Sequence, residues 1–155
     1  LLDKLIPVFE TLSAEYSFRL IVIGGKKYER ETSFKIDFYP WSYYSEIENL
    51  YKIDIGLMPL QDDNRSKGKG GFKLLQYMGL GIVSLASAIT INREIVEHGK
   101  NSLLVYSFDE WENILRLVLD KKIDFVEIGA NARKTVAEKY TFVTNFESYR
   151  KFVNQ

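Results

Sequence analysis

Several residue types are scarce in this chain of 155 residues, and each scarcity excludes a class of function. There is no cysteine, which excludes disulfide bonds and thiolate metal ligands. A single histidine, His98, leaves little scope for a histidine-based metal site. No apolar run approaches the roughly 20 residues that a membrane-spanning helix needs. The sequence therefore predicts neither a disulfide framework, nor a zinc site, nor an integral membrane protein.

Net charge is also absent, because 21 basic residues balance 21 acidic residues. A neutral chain creates no long-range field toward nucleic acid or anionic lipid, so nucleic acid is not an expected partner and any basic site must be local. Hydrophobic residues make up 46% and charged residues 27%, which is typical of a soluble domain with a core. The chain begins with Leu1 and shows no signal peptide, so we expect it to be part of a longer protein.

Apolar periodicity predicts strands and helices that alternate along most of the chain. Strands are predicted at residues 18–23, 34–39, 53–58, 82–86 and 102–106. Helices are predicted at residues 1–16, 42–52, 71–80, 91–98, 109–119, 124–140 and 145–153. This alternation indicates an α/β fold, with a Rossmann-like parallel sheet covered by helices on both faces, in one domain over residues 1–155.

Individual residues predict where some of these elements begin and end. Pro7 lies inside the first helical pattern, so this helix is either kinked or begins near Pro7. Ser42 is expected to cap the N-terminus of the second helix, and Gly81 the C-terminus of the third. The chain opens with a helix, whereas a doubly wound fold opens with a strand that becomes central. Either that strand lies upstream, or the sheet is organised differently.

The most informative segment covers residues 67–81 and reads KGKGGFKLLQYMGLG. Glycines let a backbone approach a ligand closely, and the free N–H groups of a helix's first turn favour a phosphate. The segment follows the predicted strand 53–58 at its carboxyl end, which is where parallel α/β sheets bind ligands. We therefore expect a phosphate site here, although a solvated basic turn that caps a helix is the competing interpretation. The residues expected to contact the phosphate are Lys69, Gly70, Gly71, Phe72 and Lys73.

Three motifs, in this order, resemble one enzyme family. They are IDIGLMPL at residues 53–60, GKGGFKLLQYMGLG at 68–81 and NREIVEHGKNSLLV at 92–105. Together they resemble the C-terminal domain of family 4 glycosyltransferases, and especially the subgroup with G-K-x-G-F-K-L-x-Q-Y-M, whose members make surface or secreted saccharides. Each motif is weak alone, and their order and spacing make the resemblance specific.

The resemblance implies a GT-B enzyme with two Rossmann-like domains, of which this chain is the C-terminal, donor-binding half. The N-terminal acceptor domain and the first strand would then be absent from the chain. The full-length enzyme is expected to transfer a hexose, with retention, from a nucleoside diphosphate sugar to a saccharide or lipid-linked acceptor in surface polysaccharide synthesis for the cell envelope. No metal or other cofactor is expected, and the isolated chain is expected to be inactive. The expected location is the cytoplasm, with peripheral association at the inner face of the membrane left open.

The resemblance also implies donor contacts outside the diphosphate site. Gln76, Asn92 and Glu94 match positions near the donor sugar or ribose, although Asn92 is alternatively a helix N-cap. Trp41 matches a position in the pocket for the nucleotide base, or else it is a loop aromatic that closes the core. No catalytic residue is identified, because in the family the groups nearest the acceptor come mostly from the other domain.

The chain departs from the family pattern at two positions that usually carry glutamate. Gly68 and Gln76 occupy these positions, which are eight residues apart. Gly68 offers only backbone groups, and Gln76 forms hydrogen bonds without a charge. These departures motivate an alternative function, a catalytically degenerate sugar-nucleotide-binding or scaffold module.

Other candidate residues are assigned structural roles. His98 ends the short helix 91–98, so a surface or capping role is favoured over a catalytic base. Asp54 lies in a strand pattern and residues 62–63 lie in a turn, which argues against a metal-binding pair of carboxylates. An unrelated flavodoxin-like receiver ranks last, because it needs an acidic cluster after the first strand and none is present there.

Overall fold

The computed structural model describes residues 2–25, 29, 31–61, 63–67 and 70–153. These residues separate into two compact units, the first of Leu1–Asp54 with Ser107–Ile123 and the second of Ile55–Tyr106 with Asp124–Gln155. The elements in chain order are α1 (Leu2–Ser13), β1 (Arg19–Ile23), β2 (Lys35–Tyr39), α2 (Glu46–Leu50), β3 (Ile55–Met58), α3 (Asn64–Lys67), α4 (Phe72–Gly79), β4 (Val83–Ser87), α5 (Thr90–Ile95), β5 (Leu103–Val105), α6 (Glu110–Leu119), α7 (Phe125–Lys139) and α8 (Phe142–Val153).

The first unit contains a two-stranded parallel sheet formed by β1 and β2. A cluster of three aromatic rings, those of Phe9, Phe18 and Phe34, lies at its centre, with ring centroids 5.5 to 6.1 Å apart. Phe9 comes from α1, and Phe34 directly precedes β2. Aromatic pairs at these distances stabilise beyond the area that they bury, so the cluster attaches α1 to the sheet.

Polar contacts join the end of α1 to α6 within the same unit. The guanidinium of Arg116 lies 2.9 Å from Glu15 and 2.9 Å from Glu112. The Tyr16 hydroxyl donates a hydrogen bond of 2.7 Å to Asp120, which raises the pKa of Tyr16. The hydrogen bond from Arg116 in turn lowers the pKa of the Glu15 carboxyl. These groups lie at the surface, where ion pairs contribute little to stability.

The second unit contains a three-stranded parallel sheet in the order β3-β4-β5. Leu85 of β4 lies opposite Leu57 on one side and Leu103 on the other. All five residues of β4 are buried, including Ser84 and Ser87, as expected for a central strand of a parallel sheet. The core of this unit includes Met58, Leu74, Met78, Ala86, Leu104 and Ala132.

Glycines permit the close packing at the C-terminus of α4. Gly81 has a φ of +75°, its N–H donates to Met78 O at 3.0 Å, and the N–H of Ile82 donates to Tyr77 O at 2.9 Å. This pair of bonds is a Schellman motif, so the predicted capping role of Gly81 is confirmed. Helix α7 packs directly against it, because a Cβ atom at Gly129 would lie only 2.3 Å from Gly81 O.

The structure corrects two predictions about helix starts. Helix α1 begins at Leu2 and contains Pro7, so the option of a start near Pro7 is wrong. Ser42 does not cap α2, which begins only at Glu46 with Ser45 in the N-cap position. The reason is local, because the Ser42 hydroxyl accepts the N–H of Tyr44 at 3.3 Å within a turn that precedes the helix.

One further helix, α3, lies between the predicted strand 53–58 and the predicted helix 71–80, where the sequence predicts no helix. The Asp63 carboxylate accepts the Ser66 N–H at 2.7 Å, a cap that stabilises this short helix. Residue 62 lies outside the described residues. The predicted α/β fold class is confirmed, since parallel strands alternate with helices from β2 to β5. Among the described residues the strands form two parallel sheets, where a single sheet was predicted. None of the described helices combines the length and apolar character that crossing a bilayer requires.

Candidate functional site

The loops that follow β3 and β4 are each hydrogen-bonded to the end of the neighbouring strand at the carboxyl edge of their sheet. The N–H of Leu60, after β3, donates to the hydroxyl of Ser87 at the end of β4, at 2.9 Å. The N–H of Ala88, after β4, donates to Val105 O at the end of β5, at 2.8 Å. These bonds hold the two loops at the edge where parallel α/β sheets bind ligands.

Gly71 shapes the start of α4 at this edge. It occupies the N-cap position with a φ of +67°, a conformation that L side chains rarely adopt, and no side chain caps the helix. A Cβ atom at Gly71 would lie 2.6 Å from Cδ1 of Ile95 in α5, so only glycine allows α5 to pack this closely. The N–H groups of the first turn have no acceptors within the helix, as phosphate binding requires.

The predicted diphosphate contacts are described except for Lys69, which lies outside the described residues along with Gly68. Gly70 is exposed, and Gly71 and Phe72 form the helix start. The Phe72 ring is 70% exposed, whereas Lys73 is half-buried on the same turn. The backbone groups of this set therefore lie together at the helix start, and diphosphate binding by them stays a prediction.

Gln76 and Asn92, both predicted to contact the donor sugar or ribose, have buried oxygens without hydrogen-bond partners among the described residues. These atoms are Oε1 of Gln76 in α4 and Oδ1 of Asn92 in α5. Buried polar oxygens are rarely left unsatisfied in folded proteins, so each is a candidate acceptor for a ligand hydroxyl or an ordered water. The sugar contacts themselves stay predictions.

The alternative role of Asn92 as a helix N-cap is wrong. Helix α5 begins at Thr90, which places Ile89 in the N-cap position and Asn92 inside the helix. The Asn92 side chain instead donates to Ser87 O at 2.9 Å, and the residue is fully buried. This bond ties α5 to the end of β4.

Glu94 and Trp41 differ from Gln76 and Asn92 because their side chains are exposed, so a ligand can reach them. Their predicted contacts to the donor stay predictions. Glu94 is exposed on α5. Trp41 belongs to the first unit, follows β2 and is 58% exposed. A Cβ atom at Gly24, after β1, would lie 3.2 Å from Cβ of Trp41, so the loops at the carboxyl ends of β1 and β2 pack together. The exposure of Trp41 argues against the interpretation that it closes the core.

His98 has a structural contact, in agreement with the role favoured from the sequence. Its Nδ1 accepts the backbone N–H of Leu104 at 3.0 Å, which links the end of the α5 segment to β5. Within the described part of the chain, no group of three or more His, Asp or Glu side chains is arranged to hold a metal ion.

Arg93 lies at this same edge, although the sequence predicts no ligand role for it. Its Nε donates to Ala88 O at 2.6 Å, directly after β4. The only sequence signal was an arginine six residues after a buried strand, next to the predicted sugar contacts. That signal does not reveal where the guanidinium points, because the side chain folds back along α5.

Comparison with known proteins identifies the family. The family model described as glycosyl transferases group 1 matches residues 2–135, which is most of the chain. No sequence among curated, characterised proteins matches significantly.

Solved structures with this fold include two forms of one cyanobacterial protein. Anabaena Alr3699/HepE, in complex with UDP and glucose or with UDP-glucose, is 19% identical with a TM-score of 0.63, and the match covers 77% of this chain and 32% of that chain. The C-terminal domain of the group 1 glycosyl transferase LpcC from Francisella tularensis is 25% identical with a TM-score of 0.52, over 69% of this chain and 54% of that chain. The chain thus spans about a third of the length of HepE.

Proposed function

Because this chain belongs to the glycosyl transferases group 1 family, we propose that it is the donor-binding domain of a transferase that uses a nucleoside diphosphate sugar. The observation that supports this function best is the start of α4, where an uncapped helix with glycine at its N-cap lies at the carboxyl edge of a parallel sheet. A leaving nucleoside diphosphate gains negative charge as the bond to the sugar breaks, and aimed N–H groups stabilise that charge.

The donor is proposed to be a UDP-sugar in the first instance. HepE, which shares this fold, binds UDP and UDP-glucose, and the start of α4 presents the N–H groups that a diphosphate needs. Trp41 is the proposed stacking partner for the base, and Gln76, Asn92 and Glu94 are the proposed contacts to the sugar or ribose. We propose no metal ion in this site.

The remaining features of the proposal concern the whole protein. Transfer of a hexose is proposed to proceed with retention, to a saccharide or lipid-linked acceptor bound mainly by a second domain, in the synthesis of a surface polysaccharide. The protein would act in the cytoplasm, at the inner face of the membrane if the acceptor is lipid-linked. The chain alone would bind donor and have little or no transferase activity.

The first experiment is ligand-observed NMR of this chain with UDP, GDP, ADP and their common sugar conjugates. We expect one nucleotide to bind and its sugar conjugate to compete with it. Binding of none of them would contradict the proposed function for this chain. Equal affinity for UDP and UDP-glucose would mean that the sugar adds little to binding, which is consistent with binding through the diphosphate.

The predicted lysine contacts can be tested with single substitutions. Lys73→Ala and Lys69→Ala should each weaken nucleotide binding by roughly 1.5–3 kcal/mol if the ammonium group donates a charged hydrogen bond to the diphosphate. Lys134→Ala is the matched control, because Lys134 is an exposed lysine on α7 of the same unit. Titration calorimetry gives the affinities, and unchanged affinity in a folded Lys73→Ala variant would remove Lys73 from the site.

A degenerate binding module is the second candidate, and Gln76 is the observation that favours it. A neutral amide stands where many relatives carry a carboxylate, and its Oε1 is buried without a partner among the described residues. Restoring glutamate at positions 68 and 76 of the full-length protein should create turnover of a nucleotide sugar if loss of charge abolished catalysis. Unmodified protein that already turns over donor would exclude the degenerate module.

A further inference from the structure

Arg93 is held between the ends of two neighbouring strands. Its Nε donates at 2.6 Å to the carbonyl of Ala88, the residue that follows β4. The central carbon of its guanidinium lies 6.0 Å from the centre of the Tyr106 ring, and Tyr106 directly follows β5. Because β4 and β5 pair in the sheet, the guanidinium lies at the carboxyl edge where both strands end.

The contacts of Arg93 leave one side of its guanidinium group open to a ligand. The bond to Ala88 uses Nε, and no described residue forms a hydrogen bond with Nη1 or Nη2. The fork of N–H groups on these two atoms matches two oxygens of a carboxylate or phosphate. The Tyr106 ring restricts the motion of the guanidinium, so Arg93 would lose less conformational entropy when it binds a ligand. Arg93 is exposed, so a ligand can reach it.

Arg93 has no carboxylate partner among the described residues. The nearby acid Glu97 pairs instead with Lys100 at 2.5 Å and with Lys139 at 3.9 Å. An arginine that is oriented by a backbone carbonyl and an aromatic ring, rather than by an acid, keeps its full positive charge for another anion. Neither a salt bridge nor a freely solvated side chain describes this geometry.

We propose that Arg93 binds an anionic group of the nucleotide sugar, with Tyr106 as its support. The shared chemistry is a pair of anionic oxygens, which come either from the diphosphate or from the carboxylate of an acidic donor sugar. This inference rests on the proposed function and adds to it a cation from outside the glycine-rich segment. It also makes Arg93 a candidate for selecting the sugar.

The test measures three ligands, UDP, UDP-glucose and UDP-glucuronic acid, by titration calorimetry with this chain. If the nucleotide panel selects GDP, then GDP, GDP-mannose and GDP-mannuronic acid replace them. The variants are Arg93→Ala and Arg93→Gln, of which the second removes the charge but keeps a planar polar group beside Tyr106. Arg133→Ala, at an exposed arginine on α7, is the control for loss of net charge. Circular dichroism verifies that each variant is folded.

The two sources of the anion give different results. Loss of affinity by roughly 10-fold to 100-fold for all three ligands in both Arg93 variants would assign Arg93 to the diphosphate. A loss of similar size for the acidic sugar conjugate alone would assign it to the sugar carboxylate. Either result requires native affinity in Arg133→Ala.

Two other results would overturn the inference, and they differ in what they say of the proposed function. If the native chain binds the ligands and both Arg93 variants bind them within about twofold of native, Arg93 contacts no anion and the proposed function stands. If the native chain binds none of the nucleotides, the proposed function fails and the inference fails with it.

Discussion

Tyr77 presents its ring to the backbone of β3 and is 9% exposed. A Cβ atom at Gly56 would lie 2.5 Å from this ring, so the glycine allows the ring to pack on the strand. Burial raises the pKa of Tyr77 above its ordinary value of about 10, because the phenolate is disfavoured away from water. The native state thus holds its proton to higher pH than the unfolded state does.

The sign of the resulting pH dependence follows from linkage. The stabilisation is fully present below about pH 10 and is lost as pH rises through the raised native pKa. Tyr77→Phe should therefore reduce the decline of the unfolding free energy as the pH rises above about 10, as measured by urea denaturation. Tyr44→Phe is the control, because Tyr44 is 94% exposed. An equally steep decline in Tyr77→Phe would show that Tyr77 does not cause it.

At the residue scale, the sequence predicted which residues lie near the candidate site better than it predicted what they do. The motif spacing placed Asn92 close to the end of β4, but its burial and its bond to Ser87 depend on the backbone path after that strand. The same path carries the Ala88 carbonyl that orients Arg93. Tertiary contacts of this kind have no local signal in the sequence.

Two glycines in adjacent helices are expected to respond in opposite ways to the same substitution. Gly79 ends α4, and a Cβ atom there would meet Val136 at 3.6 Å, an ordinary contact. Gly79→Ala should raise the unfolding free energy by a few tenths to about 1 kcal/mol, because alanine loses less backbone entropy. Gly129 lies inside α7, where the added atom would lie 2.3 Å from Gly81 O. Gly129→Ala should lower the unfolding free energy by roughly 1–3 kcal/mol despite better helix propensity.

Urea denaturation of the two variants provides the comparison, and each serves as the control of the other. If both alanines stabilise the protein, α7 shifts away from the end of α4 at little cost and the close packing is not required. Both residues lie in a helix and gain the same methyl group. The expected contrast therefore depends on how closely α7 packs against the end of α4.

The sequence predicted helices and strands well where the apolar pattern was strong. It predicted them poorly where hydrogen bonds of polar side chains determine whether a helix or a turn forms. Buried β4 and the Schellman end of α4 both have clear local signals, an apolar run and a glycine. The start of α2 does not, because the Ser42 hydroxyl bonds within a preceding turn instead of capping a helix. The short helix α3 depends on one side-chain cap from Asp63, which a polar sequence does not distinguish from a loop.

At the scale of the whole molecule, the two units differ in how their sheets are buried. Leu85 and Ala86 in β4 are 0% exposed and have a paired strand on both sides. In the first unit, β1 pairs with β2 alone among the described strands, and most β1 residues are half-buried. A two-stranded sheet has little stability of its own, so its hydrogen bonds depend on the aromatic cluster of Phe9, Phe18 and Phe34.

Hydrogen exchange should reveal this difference directly. We expect amides of β4 to exchange only when the second unit unfolds, because the strand cannot open without exposing the core of that unit. Amides of β1 should exchange at least about tenfold faster after correction for intrinsic rates, which corresponds to an opening free energy lower by about 1.4 kcal/mol. Phe34→Leu should increase exchange in β1 and leave β4 unchanged, since the ring contacts of Phe34 with Phe9 and Phe18 lie within the first unit. Equal protection of β1 and β4 in the native protein would mean that both sheets open together as one cooperative structure.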